Sequence, residues 1–148
     1  MEKRPIAVLR SVARMTTITV AQTFIPIDDV DAALGFYRDA LGYQVYNDVE
    51  LEGMHWITIG TPSQPDVVVV LESVGAGAPG DRDVLSDLLA KGVLGRIVFA
   101  TDDCDATFEQ LRAAGAEVLQ EPMDQFWGVR DCAFRDPAGN ALRFQQKK

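Results

Sequence analysis

Two stretches of this chain pass through the same series of apolar and polar patterns. Residues 18–27 and 96–100 read as short apolar strands. An acidic residue follows each, Asp29 or Asp103, placed to cap a helix. Its carboxylate can accept backbone N–H bonds and favours the positive end of the helix dipole. Apolar residues then recur at helical spacing, Val30, Leu34, Tyr37 and Leu41 in the first copy, and Phe108, Leu111 and Ala114 in the second. Gly42 and Gly115 stand where a left-handed residue stops a helix.

Strand-like runs follow both helices, at 44–51, 55–59 and 67–71 and again at 117–120, 129–134 and 141–145. The segments 61–66 and 136–140 carry the proline, glycine and asparagine that tight turns use. Each half therefore reads β-α-β-β-β. The halves align residue by residue: Asp28 and Asp29 with Asp102 and Asp103, Asp31 and Ala32 with Asp105 and Ala106. After a one-residue slip, Gly42 matches Gly115 and Val45 matches Val118. A flexible connector at 75–80 and a short helix at 81–90, stopped near Gly92, separate them. The expected fold is α+β, with βαβββ modules at 17–72 and 94–146 in one domain spanning 15–148. Half a domain with a one-faced sheet cannot bury that face alone. Two halves side by side can form a curved mixed sheet around a cleft, with the helices outside, and such a cleft suits a small-molecule site. The modules pair either within one chain or across two, and the apolar surface left over predicts a homodimer.

Composition narrows the function classes. At 148 residues and 47% hydrophobic, the chain suits a soluble globular domain. A net charge of −8 argues against nucleic acid and against anionic membranes as partners. Residues 1–14 form a flexible basic extension carrying Lys3, Arg4, Arg10 and Arg14. It lacks the apolar core of a secretory signal, and a basic targeting segment is its alternative reading. Cys104 and Cys132 have no metal-ligand spacing, and reduced thiols in a cytoplasm are expected. His55 is the one histidine, so no site needing two can form.

The pattern D-x-x-x-A-x-x-F-Y-x-x-x-L-G, from Asp29 to Gly42, resembles the opening of a module in the glyoxalase, bleomycin-resistance and extradiol-dioxygenase (vicinal oxygen chelate) superfamily. The segment 127–140 is similar to its closing hairpin, and the resemblance spans residues 17–146. It implies four inward strand positions that hold a divalent cation in metal-using members. Two of them lie seven residues before the capping aspartates, and two on the last strands. Here these positions are Gln22, Glu72, Arg96 and Arg143. Gln22 and Glu72 suit such a site. Arginine has no lone pair to donate and stays charged, so Arg96 and Arg143 do not. No metal and no cofactor is expected. If the residues converge, Glu72 and the two arginines leave one net positive charge, which suits an anionic ligand. Alternatively, Glu72 bridges both arginines and ties the halves together.

Other candidates follow from residue type. His55 has the pKa range of an acid or base, but no orienting carboxylate is evident. Trp56 and Trp127 are aromatic candidates for a cleft wall, with Phe126 and Trp127 on a mobile turn at its mouth. Arg130 and Asp131 read as an exposed ion pair, and Cys132 as a small buried residue. The expected function is a metal-free protein binding a small anionic or aromatic molecule. The alternatives are a lyase or dioxygenase of the same superfamily, and a structural dimer without a ligand.

Overall fold

The computed structural model describes residues 16–76 and 78–148. The basic extension expected at 1–14 lies outside the described residues. The first module comprises β1 (Gln22–Ile27), α1 (Val30–Leu34), a π-helical turn (Gly35–Ala40), β2 (Gln44–Leu51), β3 (Met54–Gly60) and β4 (Val68–Ser73). A short 3-10 turn (Val74–Ala76) and α2 (Pro79–Ala90) lead to the second module. That module comprises β5 (Arg96–Ala100), α3 (Cys104–Ala113), β6 (Glu117–Asp124), β7 (Val129–Arg135) and β8 (Ala141–Lys147). The α+β class and the two βαβββ modules are as the sequence predicts, and both modules share one strand order, β1-β4-β3-β2 and β5-β8-β7-β6.

The repeated local signals act as expected. The Asp29 and Asp103 carboxylates each accept a 2.9 Å bond from a backbone N–H three residues on, at Ala32 and Ala106. Gly42 and Gly115 end their helices with φ of 81° and 85°, a region that penalises any Cβ. Departures occur where partners decide. β1 starts at Gln22 rather than residue 18, because its partner β4 begins at Val68 and the ladder can extend no further. β6 continues through Pro122 to Asp124 as an edge strand with register shifts, the setting in which proline is tolerated. The first helix widens into a π turn, closed by Leu41 N–H donating to Phe36 O, and this buries the consecutive residues Phe36 and Tyr37.

The eight strands form two ladders of four, not one continuous hydrogen-bonded sheet. One hydrophobic core joins both modules. Ile25, Ile57 and Leu71 of the first sheet, Phe134 and Phe144 of the second, and Tyr37 and Leu111 from the helices belong to it. The helix-covered faces of both sheets contribute to this common interior. Polar ties cross the same junction: Gln110 Nε2 donates to Ala40 O at 2.6 Å, and Asn140 Nδ2 to Pro26 O at 2.7 Å. The opposite face of each sheet stays open, and Gln22, Trp56, Glu72, Arg96 and Arg143 lie there.

Candidate functional site

Cross-strand register fixes what shares a face, because directly paired residues point the same way. On the second sheet, Arg143 pairs with Val98 of β5 and Ala133 of β7, and Ala133 with Gln120 of β6. Arg96, two residues before Val98, points to the same side. Arg96, Val98, Leu119, Gln120, Ala133 and Arg143 line a cavity of about 340 Å³. Asp131, two residues from Ala133 on β7, completes the group and is fully buried.

Asp131 organises this face. Its Oδ2 accepts from Arg143 Nη1 at 2.7 Å, and its Oδ1 from Gln120 Nε2 and Gln125 Nε2, both at 2.8 Å. Arg143 Nη1 also donates to Gln120 Oε1 at 3.1 Å. Burial alone would raise the Asp131 carboxyl. The bonds from Gln125, Arg143 and Gln120, with the Arg143 charge, outweigh it and hold the group below the ordinary carboxylate range. The expected exposed Arg130–Asp131 pair is not formed. Consecutive strand residues point to opposite faces. Arg130 instead grips Asp105 through Nε and Nη2, both at 2.8 Å, and reaches Asp124. The pleat of 129–135 was the available signal for Asp131. Nothing local pointed to Gln120 or Gln125.

The open face of the first sheet is more apolar. Pro26, Glu72 and Trp56 lie side by side on β1, β4 and β3, with Phe24 against Val70 one step along. The Phe24 and Trp56 rings meet edge to face at 5.3 Å. Glu72 is half-buried in a separate cavity of about 440 Å³ walled by Pro26, Met54, Val74, Leu85 and Leu94. Among the described residues it has no ion-pair partner, so it does not bridge Arg96 and Arg143. Gln22 is exposed at the start of β1. The four positions expected to converge thus divide in this chain, with the two arginines on one sheet and Gln22 and Glu72 on the other.

His55 falls on the helix-side face of β3, the parity of Ile57, whereas Trp56 and Glu72 occupy the open face. Its Nε2 contacts Asp48 Oδ1, so the orienting carboxylate missing from the sequence reading comes from β2. That pair lies on the opposite face of the first sheet from Trp56 and Glu72. Trp127, 56% exposed, packs edge to face on Phe126 at 4.8 Å in the β6–β7 turn. Cys104 and Cys132 are buried and free, and burial, followed by the Cys104 neighbour, pushes the Cys132 thiol up to about 12. Neither is a nucleophile at neutral pH.

A divalent metal does not fit the donor set. Two of the four expected ligands are guanidinium groups, and one of these is bound to a buried carboxylate. Among the described residues no other group of three or more His, Cys, Asp or Glu side chains is placed to hold an ion.

Comparison with known proteins agrees with this architecture. The UcmS2 crystal structure superposes with a TM-score of 0.79 at 33% identity, covering 88% of this chain and 98% of that one. TnmS3, an antibiotic binding protein from Streptomyces sp. CB03234, gives 0.71 at 25% identity, over 90% of this chain and 99% of its own. YurT of Bacillus subtilis (strain 168) is 27% identical over 128 residues, 86% of this chain and 98% of YurT. The sequence profile of one family matches residues 19–144, nearly the whole repeat. The chain belongs to the Glyoxalase/Bleomycin resistance protein/Dioxygenase superfamily.

Proposed function

We propose that this chain is a metal-free small-molecule-binding protein, working as a homodimer and carrying no cofactor. The observation behind this reading is that Arg96 and Arg143, which the family resemblance sets at metal-ligand positions, share one cavity with Val98, Leu119 and Ala133. A site with fixed cations and apolar walls binds ligands by charge and shape, and has no Lewis acid to drive isomerisation or ring cleavage. This weighs against the metal-dependent lyase or dioxygenase reading. The relationship to TnmS3, described as an antibiotic binding protein, supports the same choice.

The homodimer follows from the open faces. Phe24, Val49 and Leu51 on the first sheet and Val98, Leu119 and Met123 on the second are between 41% and 65% exposed, a large apolar area for strands to show water. A second copy would cover part of this area and leave the arginine cavity accessible, with Trp56 and Trp127 as aromatic walls. A cytoplasmic setting fits the two free thiols. No described helix is long and apolar enough to cross a membrane, and the net charge of −8 disfavours nucleic acid and anionic lipid as partners.

A thermal-shift panel of small carboxylates, neutral aromatics and antibiotics tests the binding role, with light scattering for assembly. At least one class raises the melting temperature, and the mass is twice 16.2 kDa. No shift across the panel overturns the binding role, and a monomer mass throughout a dilution series overturns the dimer.

A further inference from the structure

We infer that the open face of the second sheet is a carboxylate receptor, in which Arg143 presents a preset planar fork and Arg96 a second, free cation. Its ligand is a flat apolar molecule bearing one carboxylate. This rests on the binding-protein reading and names the chemistry of its ligand.

The argument begins with which guanidinium atoms the fold uses. Arg143 spends one nitrogen, Nη1, on Asp131 and Gln120. Asp131 is completely buried, and Gln120 and Gln125 hold its other oxygen. The group that pins Arg143 is therefore itself held in place. Nε and Nη2 of Arg143 have no partner among the described residues, on a side chain that is 38% exposed. Those two nitrogens form the edge that a carboxylate meets with two parallel bonds. A fork oriented before the ligand arrives loses less entropy on binding than a free side chain would.

Arg96 supplies the second feature. It has no partner among the described residues, is exposed, and shares the cavity wall with Arg143. It sits one strand over and two residues back, a Cα separation of about 8 Å from ordinary strand spacing and rise. Two long side chains at that separation reach one anion between them. Asp131 offsets the charge of Arg143 and nothing offsets Arg96, so the cavity carries one surplus positive charge. That matches a monoanion. Of the remaining lining, Gln120 spends its amide on Asp131 and Arg143, and Val98, Leu119 and Ala133 carry no side-chain donors, which favours an apolar body.

The test is calorimetric titration of the purified full chain with three probes: 2-naphthoate, its neutral isostere 2-naphthamide, and inorganic phosphate. The acid binds about tenfold or more tightly than the amide, as one charge-assisted contact predicts. Arg143→Lys keeps a cation beside Asp131 but loses the fork, and Arg96→Gln removes a side chain that no protein group uses. Each weakens 2-naphthoate about tenfold and leaves the amide within about twofold. Equal binding of acid and amide, or unchanged affinity in Arg143→Lys, overturns the receptor while the binding-protein reading stands. Phosphate displacing 2-naphthoate at equal concentration reassigns the site to phosphate and overturns the carboxylate. Failure of 2-naphthoate to bind also overturns it. The underlying reading falls as well only if the wider thermal-shift panel is silent.

Discussion

Tyr37 and Asp136 are joined by a 2.6 Å hydrogen bond across 99 positions of sequence, with the phenol donating to Oδ2 and both groups buried. The other oxygen of Asp136 accepts the backbone N–H groups of Ala138, Gly139 and Asn140, which shapes the β7–β8 turn. Asn140 Nδ2 bonds Asp136 Oδ2 and also Pro26 O of β1. One carboxylate thus ties the last hairpin to the first helix and the first strand.

Replacing Tyr37 by Phe removes the donor and leaves a buried carboxylate oxygen with a single partner. The expected cost is about 1–3 kcal/mol, read as a lower urea midpoint at unchanged slope. Burial first, and then the Asp136 charge, raise the Tyr37 phenol well above its ordinary range. A raised folded-state value means the contribution is whole below the unfolded tyrosine pKa and is lost as pH climbs beyond it. The wild-type chain should therefore lose stability above about pH 10 more steeply than Tyr37→Phe. Parallel pH profiles for the two proteins would count against this role.

Gly95 precedes β5, and a Cβ there would stand 1.7 Å from Asn140 Oδ1. Asn140 cannot swing aside, because its amide nitrogen is bonded to Pro26 and Asp136. Gly95→Ala should cost about 1–3 kcal/mol through overpacking at the module junction, measured by chemical denaturation. Gly75→Ala is the control, since a Cβ there meets only Ser73 Oγ at 3.4 Å. Equal stability of the two variants would show that the junction can relax.

Asp131→Asn keeps the shape of the network and removes its charge. Near neutral pH it should destabilise the chain by about 1–3 kcal/mol, as expected for a charge-assisted bond to a buried group. The depressed folded-state value of Asp131 means its contribution is present above the unfolded carboxylate range and disappears as pH falls through the folded value. Wild type and variant should accordingly converge in stability in acid. A constant gap down to the lowest pH at which the chain folds would refute the assignment.

Purified protein should hold well under one divalent ion per chain by elemental analysis. Added zinc, nickel, manganese or iron should produce no glyoxalase or ring-cleaving activity. Arg143→Glu should not create a metal site, because Arg96 remains and Asp131 loses its cation. A stoichiometric metal in either protein would reverse the reading of the four positions.

The parts of this molecule legible in its sequence are those set by short-range physics. Asp29 and Asp103 cap helices because the acceptor and the N–H it serves lie three residues apart. Gly42 and Gly115 stop them because only glycine takes a positive φ without strain. Because these signals recur in order, the duplicated βαβββ plan could be read from the two aligned stretches, and with it the four positions Gln22, Glu72, Arg96 and Arg143.

Tertiary structure decided which of those residues meet. Glu72 entered an apolar cavity without a charged partner, and Arg143 found its carboxylate in Asp131, which the sequence had suggested was on the surface beside Arg130. His55 gained Asp48 but on the face away from Trp56. Each outcome depends on strand register and on how two sheets share one core. A one-residue change of register moves a side chain to the opposite face. The sequence alone therefore determined the elements and the residues available to the site, because caps, turns and strand alternation act within a few residues. Only the packed chain decided pairing, burial and the free fork of Arg143, because those are fixed by contacts between segments far apart in sequence.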